Sequence, residues 1–510
     1  MRGIIFPHNT KETYNNTSTI KVKRKYRRGV TVFSFFVIYT LILSKCEVIE
    51  MIISPDTIPT NTPDLMKYIL DQAIREVIAD RYPSKPFHSA NKSGISPAMR
   101  PPHNRSKLDL ETLTRLMITM DGGSISEELV KARINVTKSA FVQRRRTLDY
   151  AHFWYVLKEF NSLCEQYIED TATYKGYHVF AVDGTTVNIA RNPDAPTFVQ
   201  NAGNPKGYNQ FHATILFDVL SKTYLDCRLQ PQPEQDEIEA LKQMFPWNFF
   251  PQSSVIVGDR GFESYNLFAH FIERESMKFL IRIKQERTSM KIIRHLPMEE
   301  LDEDVEGEIT TTQTKEDREK DRIFIQTHAN PDRLYSGNTR AGKWEFGSPY
   351  TMRFRVVRFK LSTGAYETLA TNLPREIFSI DDLKELYHAR WGIETAFREL
   401  KYGMGLVNLH GRSDGFVEQE IYAAFIISNL TSRIVNQIVL ENRKNTKYAY
   451  AVDMKMASSL VKKFLRDPNA DGDMLMHEIA QYTEPVRPGR SDERKIVPKS
   501  FSGFTYRVRA

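Results

Sequence analysis

The stretch YHVFAVDGTTVNI, residues 177–189, decides how this chain folds. Its apolar run from Val179 to Val182 is continuous and ends at Asp183, which indicates a central strand buried on both faces. SSVIVGD, residues 253–259, repeats the design with a β-branched run that ends at Asp259. Polar groups at the carboxyl ends of such strands lie on the rim of the sheet, where open α/β folds place ligands. A carboxylate there is costly to desolvate unless it meets a cation or hydrogen-bond donors. Gly258 and Gly261 flank the second acid and permit close approach of backbone or ligand. Taken singly, either aspartate also reads as a turn or cap residue.

The surrounding texture is β-rich. FHATILFDV and KTYLDCRLQ (211–230) predict a hairpin around Leu220–Ser221, followed by a helix in EQDEIEALKQMF (234–245). A helix in SYNLFAHFIERES (264–276) and a strand in KFLIRIK (278–284) follow the second aspartate. Strands that are first antiparallel and then alternate with helices indicate an α/β domain on a mixed sheet. Residues 285–365 interrupt the rhythm and read as an inserted, mostly β subdomain. Its acidic run EELDEDVEGE (299–308) is expected to be a solvated loop face. ETLATNL (367–373) supplies a last core strand, and 416–442 a long, largely apolar and therefore buried helix.

Upstream, 60–82 has helical periodicity and 83–106 is a polar, proline-containing linker. Residues 108–160 read as helices with a short one at Glu127–Ile134, a turn at Asn135–Thr137, and a helix bearing Arg144, Arg145 and Arg146. A short helix, tight turn and basic second helix suit a helix-turn-helix reader of DNA; the alternative is a helical bundle with a solvated arginine cluster. The expected boundaries are an extension (1–50), a helical DNA-binding region (51–165), a core (170–284 and 366–412) holding the insertion (285–365), a C-terminal helical region (413–483) and a basic tail (484–510).

With 41% hydrophobic and 26% charged residues, the chain of 510 residues has a globular composition. Residues 1–50 hold nine Lys/Arg against three Asp/Glu, so six of the eight net positive charges lie there. Overall basicity is thus weak evidence for nucleic acid, and local patches must carry that argument. Cys46, Cys164 and Cys227 are too scattered for a disulfide framework, which points to a reducing cytoplasm. No HExxH or paired Cys/His context argues for zinc. The apolar run Val30–Leu43 after a basic stretch is shorter than a membrane span, which needs roughly 17–25 residues. We read Met51 as the true start and expect no stable membrane association; a signal-like anchor is the alternative.

YHARWGIETAFRELK, residues 387–401, joins the two aspartates to a chemistry. Its helix begins at Ser379, with Asp382 in a capping-box position. On a straight helix at ~100° per residue, Tyr387, Arg390, Glu394 and Lys401 share a stripe about 60° wide. An ordinary charged face does not explain one acid set among a Tyr, an Arg and a Lys on a single line. Three carboxylates suit two hard divalent cations, Mg²⁺ or Mn²⁺, in phosphodiester chemistry. Arg390 offers a bidentate fork to a phosphate and Lys401 a point charge.

The pattern Tyr-x2-Arg-x3-Glu-x6-Lys resembles that of bacterial insertion-sequence DDE transposases in every fixed position. AVDGT and VGDRGF resemble that family's segments around its two catalytic aspartates. The separations, 76 residues from Asp183 to Asp259 and 135 from Asp259 to Glu394, fit members with a β-strand insertion before the glutamate. The resemblance covers roughly residues 110–440. It implies an RNase H-like fold, a catalytic and metal-binding triad of Asp183, Asp259 and Glu394, and phosphate contacts from Tyr387, Arg390 and Lys401. It also implies two divalent ions, transposon-end and target DNA as partners, a homodimer on paired ends, and cut-and-paste chemistry through a hairpin. Some relatives stack a flipped base on an aromatic in the insertion. Trp344 is the candidate here, the other reading being a core tryptophan of that subdomain. A DNA-binding relic without cleavage and an RNase H-fold nuclease without transposition are the competing readings.

Overall fold

The computed structural model describes residues 59, 61–82, 108–168, 172–284 (apart from 203 and 249), 288, 290–327, 343–403, 409–440 and 448–486. The extension 1–50, the start at Met51, the linker 83–106 and the tail beyond Val486 lie outside the described residues.

Ten strands form one mixed sheet: β1 (His178–Ile189), β2 (Phe198–Asn201), β3 (Asn204–Asp218), β4 (Thr223–Pro231), β5 (Ser254–Gly258), β6 (Met277–Arg282), β7 (Leu301–Thr310), β8 (Ile323–Phe324), β9 (Tyr350–Lys360) and β10 (Tyr366–Thr371). β3 pairs antiparallel with both β4 and β1, and β5 and β6 continue from β1 in parallel. That order, with helices on both faces, is the RNase H-like core expected from the sequence. The β3–β4 hairpin turns at the expected place, where Asp218 Oδ1 accepts from the Leu220 and Ser221 amides at 2.9 and 3.1 Å.

The insertion is built of strands, but they do not fold apart. β10, β9, β7 and β8 extend the core sheet from β6. The acidic run is itself a strand, β7, rather than a loop. Its backbone pairs antiparallel with β9, and its acids meet arginines of β9 and of the turn after β10. Asp302 accepts from Arg355 at 2.7 and 2.8 Å and from Arg375 at 3.0 Å, and Arg353 reaches Asp304. Opposite charges on neighbouring strands supply the complementarity that a polar strand needs.

The two helical regions merge into one layer. Helices Thr62–Arg81, Leu110–Thr119, His152–Tyr167, Asp414–Val435, Met454–Arg466 and Gly472–Gln481 share a hydrophobic core that also covers Ala181, Ile215, Phe217 and Tyr224 of the sheet. The long helix Asp414–Val435 is buried along most of its length, as its apolar sequence requires. Asn429 from it satisfies both backbone groups of Tyr224, accepting from the amide at 2.6 Å and donating to the carbonyl at 2.8 Å. This pins β4, which among the described strands pairs only with β3, to the helical layer. A second core, rich in Phe245, Phe262, Phe268, Phe271 and Phe279, lies between the sheet and helices Glu237–Met244 and Tyr265–Ile272. Each such fully buried phenylalanine contributes roughly 1.5–3 kcal/mol. No described helix is long and apolar enough to cross a membrane.

Candidate active site

Register brings the two aspartates together. The parallel ladder of β1 with β5 runs from His178↔Ser254 to Val182↔Gly258, so Asp183 and Asp259 are the next residues on neighbouring strands. Strand spacing there is about 4.8 Å. β1 runs the length of the stretch 177–189, from His178 to Ile189, and among the described strands it pairs beyond Asp183 with β3. Asp183 Oδ1 accepts from the Gly184 amide at 2.8 Å. Asp259 caps the short turn Arg260–Phe262, accepting from the Gly261 amide at 2.7 Å.

Glu394 reaches the same rim from below the sheet. Ser379 and Asp382 form the expected capping box, and the first helical segment runs Ile380–Ala389. A second runs Trp391–Arg398 and passes into a π-type turn at Glu399–Gly403. At the joint the bonding tightens to i−3, with Arg390 N on Tyr387 O at 3.3 Å and Ile393 N on Arg390 O at 3.0 Å. The straight-helix stripe is therefore broken. Tyr387 is 5% exposed and packs with Leu383, Leu386, Val255 and Val257 in the core beneath the sheet. In this conformation Tyr387 presents no exposed face for the expected phosphate contact.

Arg390, 5% exposed, lies between the acids instead of facing outward. Its guanidinium donates to Asp183 Oδ2 at 3.1 Å and to Glu394 Oε1 at 3.3 Å. Lys401 Nζ donates to Thr185 Oγ1 at 2.6 Å, two residues beyond Asp183. Burial pushes the Asp183 carboxyl up to about 6; Arg390 and the Gly184 amide pull it down, while Asp259 and Glu394 push it up. Three acids that repel one another across a partly dehydrated rim are what a divalent cation would relieve. An all-oxygen donor set fits Mg²⁺ or Mn²⁺ and not a soft metal. As they stand, no three Asp, Glu, His or Cys residues among those described form a cluster able to hold an ion. Arg390 stands between two of the acids, so closing a metal site requires it to move.

A fourth carboxylate, which the sequence reading passed over, lies beside them. Glu237 opens the helix Glu237–Met244, and its Oε1 is 2.9 Å from His212 Nε2 on β3. An added Cβ on Gly261 would lie 2.9 Å from Asp259 Oδ1 and 3.3 Å from Glu237 Oε2. The signal available in the sequence was an acid at the start of the helix that follows the hairpin, a position the fold delivers to the rim.

The arginine cluster divides. Arg146 is exposed and Arg144 partly so, with its Nε donating to Leu108 O at 3.0 Å. Arg145 is 2% exposed and ties the short helix Lys138–Arg145 to the long helix, donating to Gln419 at 2.8 Å, to Glu420 at 2.7 Å and to the Phe416 carbonyl. In place of the expected DNA contact, its guanidinium is buried and engaged within the protein. The preceding helix spans Ile125–Lys131, and residues 132–137 form the turn. Trp344 stacks edge-on against Phe346 and Tyr350 and donates to Gly347 O at 3.1 Å.

A sequence profile described as a transposase DDE domain matches residues 174–430, just over half of the chain. The chain belongs to the DDE transposase family. The matched segment contains Asp183, Asp259 and Glu394 and ends inside the long helix. A probable transposase for insertion sequence element IS5377 of Geobacillus stearothermophilus is 33% identical over 76 residues. That match covers 15% of this chain and spans 20% of the relative's length. A cryo-EM structure of the piggyBac transposase synaptic complex with hairpin DNA aligns with a TM-score of 0.40 and 11% identity, covering 87% of this chain and 90% of that one.

Proposed function

We propose that this DDE transposase cuts DNA at the terminal inverted repeats of an insertion sequence and joins the excised end to target DNA. The observation that carries the reading is the convergence of Asp183 and Asp259, next in register on parallel strands, with Glu394 across Arg390. Asp183, Asp259 and Glu394 would hold two divalent cations, Mg²⁺ or Mn²⁺, which when bound supply charge neutralisation at the attacking and leaving oxygens.

The chain's own residues then have defined tasks. The Gly184 and Gly261 amides fix the two aspartates, so their carboxylates are aimed before DNA arrives. Arg390 neutralises Asp183 and Glu394 and reaches a phosphate only by leaving them. Lys401, on the other side of Asp183 by way of Thr185, offers a point charge to the backbone. Arg144 and Arg146 are the remaining candidates in the N-terminal region for holding the duplex. Water attacks at the element end and frees a 3′-hydroxyl, which attacks the opposite strand, closing a hairpin and releasing the flanking strand. A second hydrolysis reopens the hairpin, and the regenerated 3′-hydroxyl attacks target DNA. Two copies on paired ends, acting on the nucleoid in a bacterial cytoplasm, complete the reading. Glu394→Gln is expected to bind terminal-repeat DNA normally and to lose strand cleavage in Mg²⁺. Cleavage at the wild-type rate would remove Glu394 from the catalytic set.

A further inference from the structure

We propose that Glu237 is a fourth carboxylate of the catalytic site, held by His212 and acting with Asp259 on a divalent cation. This rests on the transposase reading above. Two glycines make the case. A Cβ on Gly184, the residue after Asp183, would collide with Glu237 Oε1 and lie 2.6 Å from His212 Nε2. A Cβ on Gly261, two residues after Asp259, would be wedged between Glu237 Oε2 at 3.3 Å and Asp259 Oδ1 at 2.9 Å. Neither glycine has the positive φ that demands glycine for its backbone. Both are bare where this one side chain passes. One carboxylate thus rests over the first catalytic strand and faces the second acid.

Glu237 arrives from the helix layer opposite Glu394, so the two glutamates approach the aspartates from the two faces of the sheet. Its helix is fixed independently, with Asp236 accepting from the Glu239 amide at 3.0 Å and Leu241 and Met244 buried in the phenylalanine core. The side chain is not needed for that packing, being 31% exposed, whereas His212 is 9% exposed. Among the described residues its hydrogen-bond partner is that histidine, on the residue opposite Thr186 of β1. Setting an acid against Asp259 costs Coulomb energy with no gain in packing. A shared cation removes that cost, and a histidine that fixes a ligating carboxylate is a common supporting arrangement around metals. Glu237 is assigned as a ligand and His212 as a positioning residue.

The test is Mn²⁺ titration calorimetry on the full chain, with melting temperature in the absence of metal as the folding control. Glu237→Gln keeps the hydrogen bond to His212 and is expected to weaken Mn²⁺ binding by about tenfold or more, with an unchanged metal-free melting temperature. Gly184→Ala keeps the carboxylate but displaces it, and is expected to weaken Mn²⁺ binding likewise. Wild-type Mn²⁺ affinity in both variants overturns the proposal. Asp259→Asn separates the two levels. If it weakens Mn²⁺ binding while Glu237→Gln does not, Glu237 is no ligand and the triad stands. If neither variant changes binding, the triad reading itself fails.

Discussion

Arg145→Ala separates a structural arginine from a DNA contact. The side chain is 2% exposed, engages Gln419, Glu420 and the Phe416 carbonyl, and lies 4.4 Å from the Phe416 ring centroid. Burial alone would raise the Glu420 carboxyl, but Arg145 and His410 more than offset it and hold it at about 2, against an ordinary 4.5. A depression of that size corresponds to about 3 kcal/mol of stability. It is fully present above pH 4.5 and is lost as the pH falls towards 2. Removing one partner of a buried ion pair typically costs about 3–5 kcal/mol. Both routes predict that Arg145→Ala lowers stability by about 3 kcal/mol near neutrality, a fall of roughly 3–6 °C in Tm for a chain of this size. Thermal unfolding followed by circular dichroism from pH 7 to pH 2 measures this, and the deficit should shrink on the acid side. Well below its Tm the variant should keep the wild-type salt dependence of DNA binding, whereas Arg146→Ala should lower the slope by about one. A wild-type Tm together with a reduced salt slope would refute the assignment and return Arg145 to the DNA.

Two further outcomes follow from the packing. His152 is 1% exposed, 2.8 Å from Thr114 Oγ1, and burial lowers its pKa to about 4. Protonation therefore favours the unfolded chain, so stability present above pH 6.5 declines as the pH falls towards 4 by up to about 3 kcal/mol. His152→Gln should flatten the Tm profile in that window, and an unchanged profile would count against a buried neutral imidazole. Gly392 has only Val219 atoms, at 3.9 Å, near a prospective Cβ. Gly392→Ala should thus raise stability by about 0.4–1 kcal/mol in denaturant unfolding, and a loss would reveal a close approach there.

The buried strands, the hairpin turn and the capping box at Ser379 were legible because each is a local pattern: an apolar run, two β-like runs meeting at Leu220–Ser221, a Ser with an Asp three residues on. The acids of the rim were legible for the same reason, since a strand that stops being apolar at Asp183 and Asp259 marks its own edge. What the sequence concealed depends on partners distant along the chain. The acidic run 299–308 reads as a loop until Arg353, Arg355 and Arg375 are placed beside it. Arg145 looks like its neighbours until Glu420, 275 residues away, claims it. Tyr387 fitted the outer stripe only on a straight helix, and the joint at Arg390 turns it into the core. Glu237 carries no motif, and becomes a candidate only because two glycines leave room for it.

The central claim is that Asp183 holds a catalytic divalent cation. It is tested most directly by cleavage of end-labelled terminal-repeat DNA by Asp183→Cys in Mg²⁺ and in Mn²⁺. A thiolate is a poor ligand for hard Mg²⁺ and a better one for the softer ion. The account predicts no cutting in Mg²⁺ and cutting regained in Mn²⁺, while Asp183→Ala stays inactive in both. Wild-type cutting by Asp183→Cys in Mg²⁺ would contradict it.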